Sequence, residues 1–497
     1  MSDEDSAGEG PLVRFVNWID SRLGLNYQLL RPVHVYSINP FYWLGALTML
    51  AFTIQAVTGI LLVIWYVPDP STAYSSTLYI FNNVNYGRFL QTVHLYGAYS
   101  MILLAVMHMM RNYFVSSHKK PRELMWVVGM LMGFVTLGFG FTGYLLPFTV
   151  VGVLATNVGL GLLSPLPPML QTLVESLLGA TQGLNATELL RLYDVHIILL
   201  PATLLLLFFA KMYMFETHGA AKPDKPLTEK QKSVIPFFPD ATVYLLELSA
   251  LFTAALLLVS AAFPFTLPPE YSIAASQAAT PQPDWYFLWM YQILKIQAFE
   301  GAGLPIAMTI ITVIFVALFV LPFIDRGGER RLASRPKFVL LGTIFVAELI
   351  VLTYWGYVTP GQTIPDEEAI VVLGAVALLV GLAFIGIYRL MFARLRGRLS
   401  AGVQPTTTMQ KAQIWTGALF TVILVGGALA ISASISSALQ LLAVGVTSSG
   451  LLAMAVSIAA VGLAVLGTIF LIYRLDLANG TIRTRVPLLE VGWKNEE

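Results

Sequence analysis

FLQTVHLYGAYSMILLAVMHMMRNYFV, residues 89–115, is the stretch whose reading decides the fold. It is long and apolar enough to cross a bilayer as one helix, and it carries two histidines, His94 and His108. They lie fourteen residues apart, close to four turns, so both imidazoles leave one face, about 21 Å apart along the axis. That separation approaches the thickness of a hydrocarbon core, where ionisable groups are rare and functional by default. Two ligands stacked this way would hold two metal cofactors, one near each membrane surface.

The composition agrees. The chain has 497 residues, 57% hydrophobic and 11% charged. A soluble domain carries about 25% charge, so this is an all-α polytopic membrane protein. A net charge of +1 offers nothing to a nucleic acid. Cysteine is absent, which excludes disulfides, thiolate-held zinc or iron–sulfur clusters and thioether-attached haem from this chain. A redox metal would have to rely on other donors, and there are six histidines. Met1 to Gly10 is acidic and polar, with no signal-peptide pattern.

Apolar runs long enough to span recur at 41–67, 89–115, 124–148, 189–215, 243–263, 305–323, 338–357, 370–392, 414–435 and 452–473, about ten in all. Basic residues gather after alternate spans, at Lys119, Lys120 and Arg122, at Lys222 to Lys232, at Arg326 to Lys337 and at Arg389 to Arg398. Positive-inside logic puts these loops and both termini in the cytoplasm. Leu12 to Leu25 alternates apolar and charged positions at helical spacing and reads as an interfacial helix. Two outer loops, Thr149 to Glu188 and Pro264 to Leu304, are longer than a connection needs and are expected to cover a site or meet a partner.

His196, near the outer end of the fourth span, is at a depth to pair with His94. Glycines recur at the same interval of fourteen: Gly45 and Gly59 on the first span, Gly129 and Gly143 on the third. Small residues in membrane helices allow close helix contact, and at this spacing they would also admit a flat porphyrin at two depths.

With these residues in view the chain resembles the cytochrome b subunit of quinol-oxidising bc-type complexes. Further matches are Asn39-Pro-Phe-Tyr-Trp43, Gln55-Ala-Val-Thr-Gly59, Gly143-Tyr-Leu-Leu-Pro147 and Pro283-Asp-Trp-Tyr286. The last is similar to the family's quinol-site signature, with Asp where Glu is commoner. The resemblance covers roughly residues 12 to 360. It implies a haem-binding four-helix bundle in the N-terminal half and two non-covalently bound haems, of b or modified type.

One departure matters. The family carries a fourth haem-ligating histidine fourteen or fifteen residues after the position of His196, and here Ala210 and Lys211 stand there. Lys211 is expected to ligate the inner iron opposite His108, which requires a neutral amine; an apolar interior disfavours an ammonium and a metal favours the base. The alternatives are a five-coordinate inner haem or none, with Lys211 reaching to the inner surface. The resemblance places Arg111 at a haem propionate. Near the outer haem Gln91 stands where the family has an arginine, and Arg88 is the available substitute.

At the outer face Asp284 is the expected proton acceptor, with Pro283 for rigidity and Trp285 and Tyr286 as an apolar wall. A carboxylate so placed should have a raised pKa. By themselves these residues read as a turn beside an interfacial aromatic belt. The resemblance adds Tyr144 and Pro147 as the opposite wall. For an inner quinone site the residues at hand are His218 and Glu216, with His34 and Asp240; His218 reads equally as a solvated loop residue.

The resemblance therefore implies a quinol oxidoreductase subunit with proton translocation in a plasma membrane. It also implies a Rieske-type iron–sulfur partner, a further acceptor subunit such as a cytochrome or terminal oxidase, and a homodimer or supercomplex. The expected organisation is a cytoplasmic N-terminal segment (1–38), the haem bundle (39–220), a C-terminal domain with the quinol loop (221–400) and extra transmembrane helices with a tail (401–497). The rival is a haem- and quinone-binding membrane anchor of a dehydrogenase without bifurcation, which would lack the Pro-Asp-Trp-Tyr loop. A transporter with structural histidines would be colourless.

Overall fold

The protein is described from a computed structural model, which covers residues 15, 18–22, 31–162, 168–169, 172, 186–222, 232–328, 330 and 334–387. Twelve helices matter here: α1 (Leu44–Val63), α2 (Ala73–Asn83), α3 (Gly87–Phe114), α4 (Glu123–Leu145), α5 (Val150–Gly161), α6 (Ala186–His218), α7 (Phe237–Ala262), α8 (Ile273–Ala278), α9 (Leu288–Leu294), α10 (Leu304–Ile324), α11 (Pro336–Val358) and α12 (Asp366–Ile387). Eight of them, α1, α3, α4, α6, α7, α10, α11 and α12, are long and apolar enough to cross a membrane. They correspond to the first eight expected spans. The ninth and tenth, and most of the expected interfacial helix, lie outside the described residues.

The described residues fall into two compact units. One holds the chain up to Pro40 together with 232–262: strands β1 (Pro32–His34) and β2 (Val234–Pro236) pair antiparallel, with His34 opposite Val234, and lead into α7. The other runs from Phe41 to residue 222 and from Phe263 to residue 387. In it α1 packs on α3, α4 on α6, and α9 on α11. Backbone groups in lipid must bond internally, which is why the apolar runs resolve into helices.

In their described residues both of the long outer loops contain helix. The first contains α5, whose N-cap Thr149 accepts from Gly152 N–H. The second contains α8 and α9. They are tied together where Val150 N–H bonds Pro269 O at 2.9 Å and Tyr271 N–H bonds Phe148 O at 3.2 Å. Burial explains the order: Val153 of α5 joins Ala73, Leu145, Phe148, Leu189 and Leu192 in one apolar cluster.

A buried polar cluster closes the opposite end, between the α3–α4 turn and the α10–α11 turn. Asp325 takes Lys119 Nζ at 2.8 Å, His118 Nε2 at 3.1 Å and the Arg335 guanidinium. Burial alone would push the Asp325 carboxyl up, but the bonds from Lys119, Arg335 and His118 outweigh it and hold it low. Burial, aided by Arg335, brings His118 down to about 4, so it is neutral here at physiological pH. Both shifts are downward, so the folded state binds fewer protons than the unfolded one in acid, and stability is lost as pH falls.

Asp325→Asn should therefore leave two buried cations without a counter-charge, at a cost of about 3–5 kcal/mol. Thermal unfolding in detergent at neutral pH would show it as a lowered midpoint. In the unaltered protein the midpoint should drop as pH falls from 6.5 towards about 4, the window of His118.

Candidate functional site

Four donor side chains face four glycines. A Cβ on Gly59 would lie 3.2 Å from His94 Cε1, and one on Gly143 2.8 Å from His196 Cε1. At the other depth, a Cβ on Gly45 would lie 3.1 Å from His108 Cε1, and one on Gly129 2.9 Å from Lys211 Nζ. The glycines come from α1 and α4, the donors from α3 and α6. The interval of fourteen keeps His94 and His108, Gly45 and Gly59, and Gly129 and Gly143 each on one helix face, and His196 and Lys211 are fifteen apart on α6, so the helices meet this way at two levels. Lys211 thus stands to Gly129 as His196 stands to Gly143.

Hydrogen bonding decides which nitrogen each ring offers. Thr58 Oγ1 gives its single proton to the backbone, to Ile54 O at 2.7 Å, and so must accept from His94 Nδ1 at 2.9 Å. Thr142 does the same for His196: it donates to Gly138 O at 2.9 Å and accepts from Nδ1 at 2.8 Å. Both rings are therefore protonated at Nδ1 and carry their lone pair on Nε2. At His108 the partner is Asn112. Its Oδ1 accepts from Arg111 Nη1 at 2.8 Å, which leaves its amide nitrogen to donate to His108 Nε2 at 3.1 Å. Nε2 is again the lone-pair nitrogen, and His108 Nδ1 is buried without a hydrogen-bond partner. Nε2 of His94 and of His196 is thus free, whereas that of His108 accepts from Asn112 and would be released to a metal on binding. Together with the Lys211 amine, each beside a glycine, they form a donor set that would hold two haems.

His196 occupies a π-helical turn, Val195–Leu199, within α6. Pro201 accounts for it, since it has no N–H to give and its ring crowds the carbonyl four residues back. Arg111 lies one turn from His108, its guanidinium 4.1 Å over the Tyr42 ring and 3.3 Å from Ser117 Oγ. Arg88 does not serve the outer level as expected. It is bound to the loop after α7, at Phe265 O (3.0 Å) and Thr266 Oγ1 (3.2 Å), because it sits in the first turn of α3 above that loop.

The Pro283–Tyr286 loop lies against the same two helices. Asp284 Oδ1 accepts from Tyr99 of α3 at 2.9 Å, and Oδ2 from Tyr286 at 3.3 Å. Burial raises the Asp284 pKa against the pull of these two hydroxyls. Tyr286 is buried with its ring against Gly140 of α4, where a Cβ would come within 2.7 Å of Cε2. Trp285 stands edge-on to Tyr99, ring centroids 6.2 Å apart. Tyr144 bonds Thr156 of α5 and feels the Asp284 charge. The loop is held in place by Gln282 Nε2 on Gly356 O (3.2 Å) and by Tyr291 Oη on Pro281 O (2.5 Å).

His218 ends α6 with its side chain exposed, while its carbonyl accepts from Arg122 at 2.8 Å. His34 is exposed in β1, stacked on Tyr36, and Asp240 lies in the first turn of α7, in the same unit as His34. Sequence reasoning missed Thr58, Thr142, Asn112 and Tyr99. The first two had a signal, since Thr-Gly recurs at 58–59 and 142–143, immediately before the outer glycines. Tyr99 had none.

Comparison with known proteins accords with this geometry. Residues 99–269 match the family model cytochrome b (N-terminal)/b6/petB, and residues 274–384 match cytochrome b (C-terminal)/b6/petD. Cytochrome b of Sulfolobus acidocaldarius is 33% identical, over 74% of this chain and 70% of its own length. The cytochrome bc complex cytochrome b subunit of Chlorobaculum thiosulfatiphilum is 32% identical, over 67% and 77%. The cytochrome b subunit of the Bacillus subtilis menaquinol:cytochrome c reductase is 36% identical, over 43% of this chain and 99% of its own. A solved chain of a hyperthermophilic respiratory Complex III shares the fold, with a TM-score of 0.63 at 23% identity over 76% of this chain and 98% of that one. Matched by family models across both of its halves and by relatives along most of their length, this multi-pass membrane chain belongs to the cytochrome b family of bc-type respiratory complexes.

Proposed function

We propose that this chain is the two-haem, quinol-oxidising subunit of its complex, taking quinol at the outer face and delivering electrons towards the inner one. The observation that carries the reading is the pairing of four donors with four glycines at two depths. His94 and His196 would hold the outer haem, His108 and Lys211 the inner one, with Arg111 at a propionate of the inner haem. Haem bound at each level supplies a one-electron carrier.

The protein's own work lies around the quinol. Asp284 takes a proton from the quinol hydroxyl, and its raised pKa suits a weak acid as donor. Trp285, Tyr286 and Tyr144 exclude water from the exchange and shape the pocket, and Pro283 stiffens the loop. One electron leaves to an external Rieske-type iron–sulfur protein, because a chain without cysteine cannot hold such a cluster. A further cytochrome or oxidase subunit receives it, within a homodimer or supercomplex. Quinone is reduced near the inner end of α6, by His218. With both termini cytoplasmic in a plasma membrane, protons are released outside and taken up inside. The bundle at 39–220 carries the haems, 221–400 carries the quinol loop, 1–38 carries an interfacial helix, and the extra helices at 401–497 serve partner docking or lipid contact.

The glycine pairing makes a steric prediction. Gly143→Val should abolish the outer-haem absorbance, since even one methyl would intrude on the His196 ring. Gly133→Ala on the same helix meets nothing within 4 Å and should keep both haems. Lys211 is tested by counting: a pyridine haemochrome assay should give two haems per chain, and Lys211→Leu should lose the inner one. One haem in the unaltered chain would defeat the Lys211 assignment. Asp284→Asn should cut quinol oxidation at least tenfold with an unchanged haem spectrum; wild-type turnover would sink the proton-acceptor role.

A further inference from the structure

Both oxygens of Asp284 are engaged, and the two bonds differ in origin and strength. Tyr286 belongs to the same loop and reaches Oδ2 at 3.3 Å, a long and weak bond. Tyr99 comes from α3, 185 positions away in the chain, and reaches Oδ1 at 2.9 Å. It lies five residues beyond His94, about 7.5 Å further along the same helix. Trp285 and Tyr286 pack on the Tyr99 ring at 6.2 and 6.3 Å, so the hydroxyl is aimed by a filled aromatic corner.

We propose that Tyr99 is a positioning residue of the outer quinol site, tethering Asp284 Oδ1 so that Oδ2, the weakly held oxygen, turns to the quinol hydroxyl. This rests on the reading of Asp284 as proton acceptor. In the step it serves, the quinol O–H bond breaks, an O–H bond forms at Oδ2, and the electron leaves to the external iron–sulfur acceptor. Tyr99 keeps its own proton throughout, donating to Oδ1 before and after. An aspartate free at both oxygens would rotate about its two side-chain torsions and lose the approach geometry that proton transfer needs. Among the described residues, the titratable groups bearing on Asp284 are Tyr99 of α3, Tyr286 of its own loop and Tyr144 of α4, and all are phenols. No cation among the described residues is salt-bridged to it, so the tether is the principal fixed donor from another helix.

The test is quinol oxidation by the assembled complex in membranes, followed from about pH 5 to 9. Tyr99→Phe keeps the ring packing and removes only the hydroxyl. It should lower kcat about tenfold, leave KM for quinol within about twofold and preserve the haem spectrum. Loss of a donor to the carboxylate disfavours the charged form, so the acid limb of the profile should move up by roughly half to one pH unit. In an Asp284→Asn background the same change should add nothing further. Should Tyr99→Phe disturb assembly, 3-fluorotyrosine at position 99, a near-isosteric and stronger donor, should move the acid limb to lower pH. An unmoved acid limb, or an equal loss of kcat with and without Asp284, would overturn the tether and leave Tyr99 as packing. Wild-type turnover in Asp284→Asn alone would instead remove the proton-acceptor reading on which it rests.

Discussion

The site depends on space withheld from four positions. Between helices in lipid the hydrophobic drive is weak, and close approach through small residues becomes the organising force. Gly45, Gly59, Gly129 and Gly143 let three imidazoles and one amine come nearly against the backbone of the facing helix. A β-carbon at any of them would stand inside ordinary van der Waals contact with a donor. The rest follows from that arrangement: α1 beside α3, α4 beside α6, and two levels set by the helical interval.

The outer level and the quinol loop share a scaffold. On α4, Gly143 faces His196, and one turn earlier Gly140 faces Tyr286. On α3, His94 bonds Thr58 and Tyr99 bonds Asp284. Two helices thus register the ring donors and the carboxylate against each other, and a shift of either helix would disturb both. The inner level lacks this second duty. Its His108 is steadied by Asn112 rather than a threonine, and its fourth donor is a lysine on a flexible stem.

Two buried carboxylates show how environment divides roles. Asp325 is ringed by Lys119, His118 and Arg335 and is held low, an anion that locks two turns together. Among the described residues Asp284 is met only by phenol hydroxyls, in an apolar corner, and burial raises it. Cations fix a charge in place, whereas neutral donors leave it able to take a proton.

Much of this was legible in the chain itself. Hydropathy located about ten spans, eight of which are helices among the described residues, and the interval of fourteen between histidines and between glycines pointed to two levels, because helical geometry turns spacing directly into position. That Lys211 stands where the resemblance led to a histidine was equally plain. Other features arose only on folding. The π-turn at His196, the helix α5 inside a supposed loop and the diversion of Arg88 to Phe265 and Thr266 each follow from local crowding or distant partners. The tyrosine bonded to Asp284 lies 185 positions away, and nothing periodic marks it. Sequence determined which helices exist and at what depth their donors lie, since both are one-dimensional properties of a regular helix. Only the tertiary structure decided which ring nitrogen is free and what holds the carboxylate, since those are set by contacts between segments that the order of residues does not encode locally.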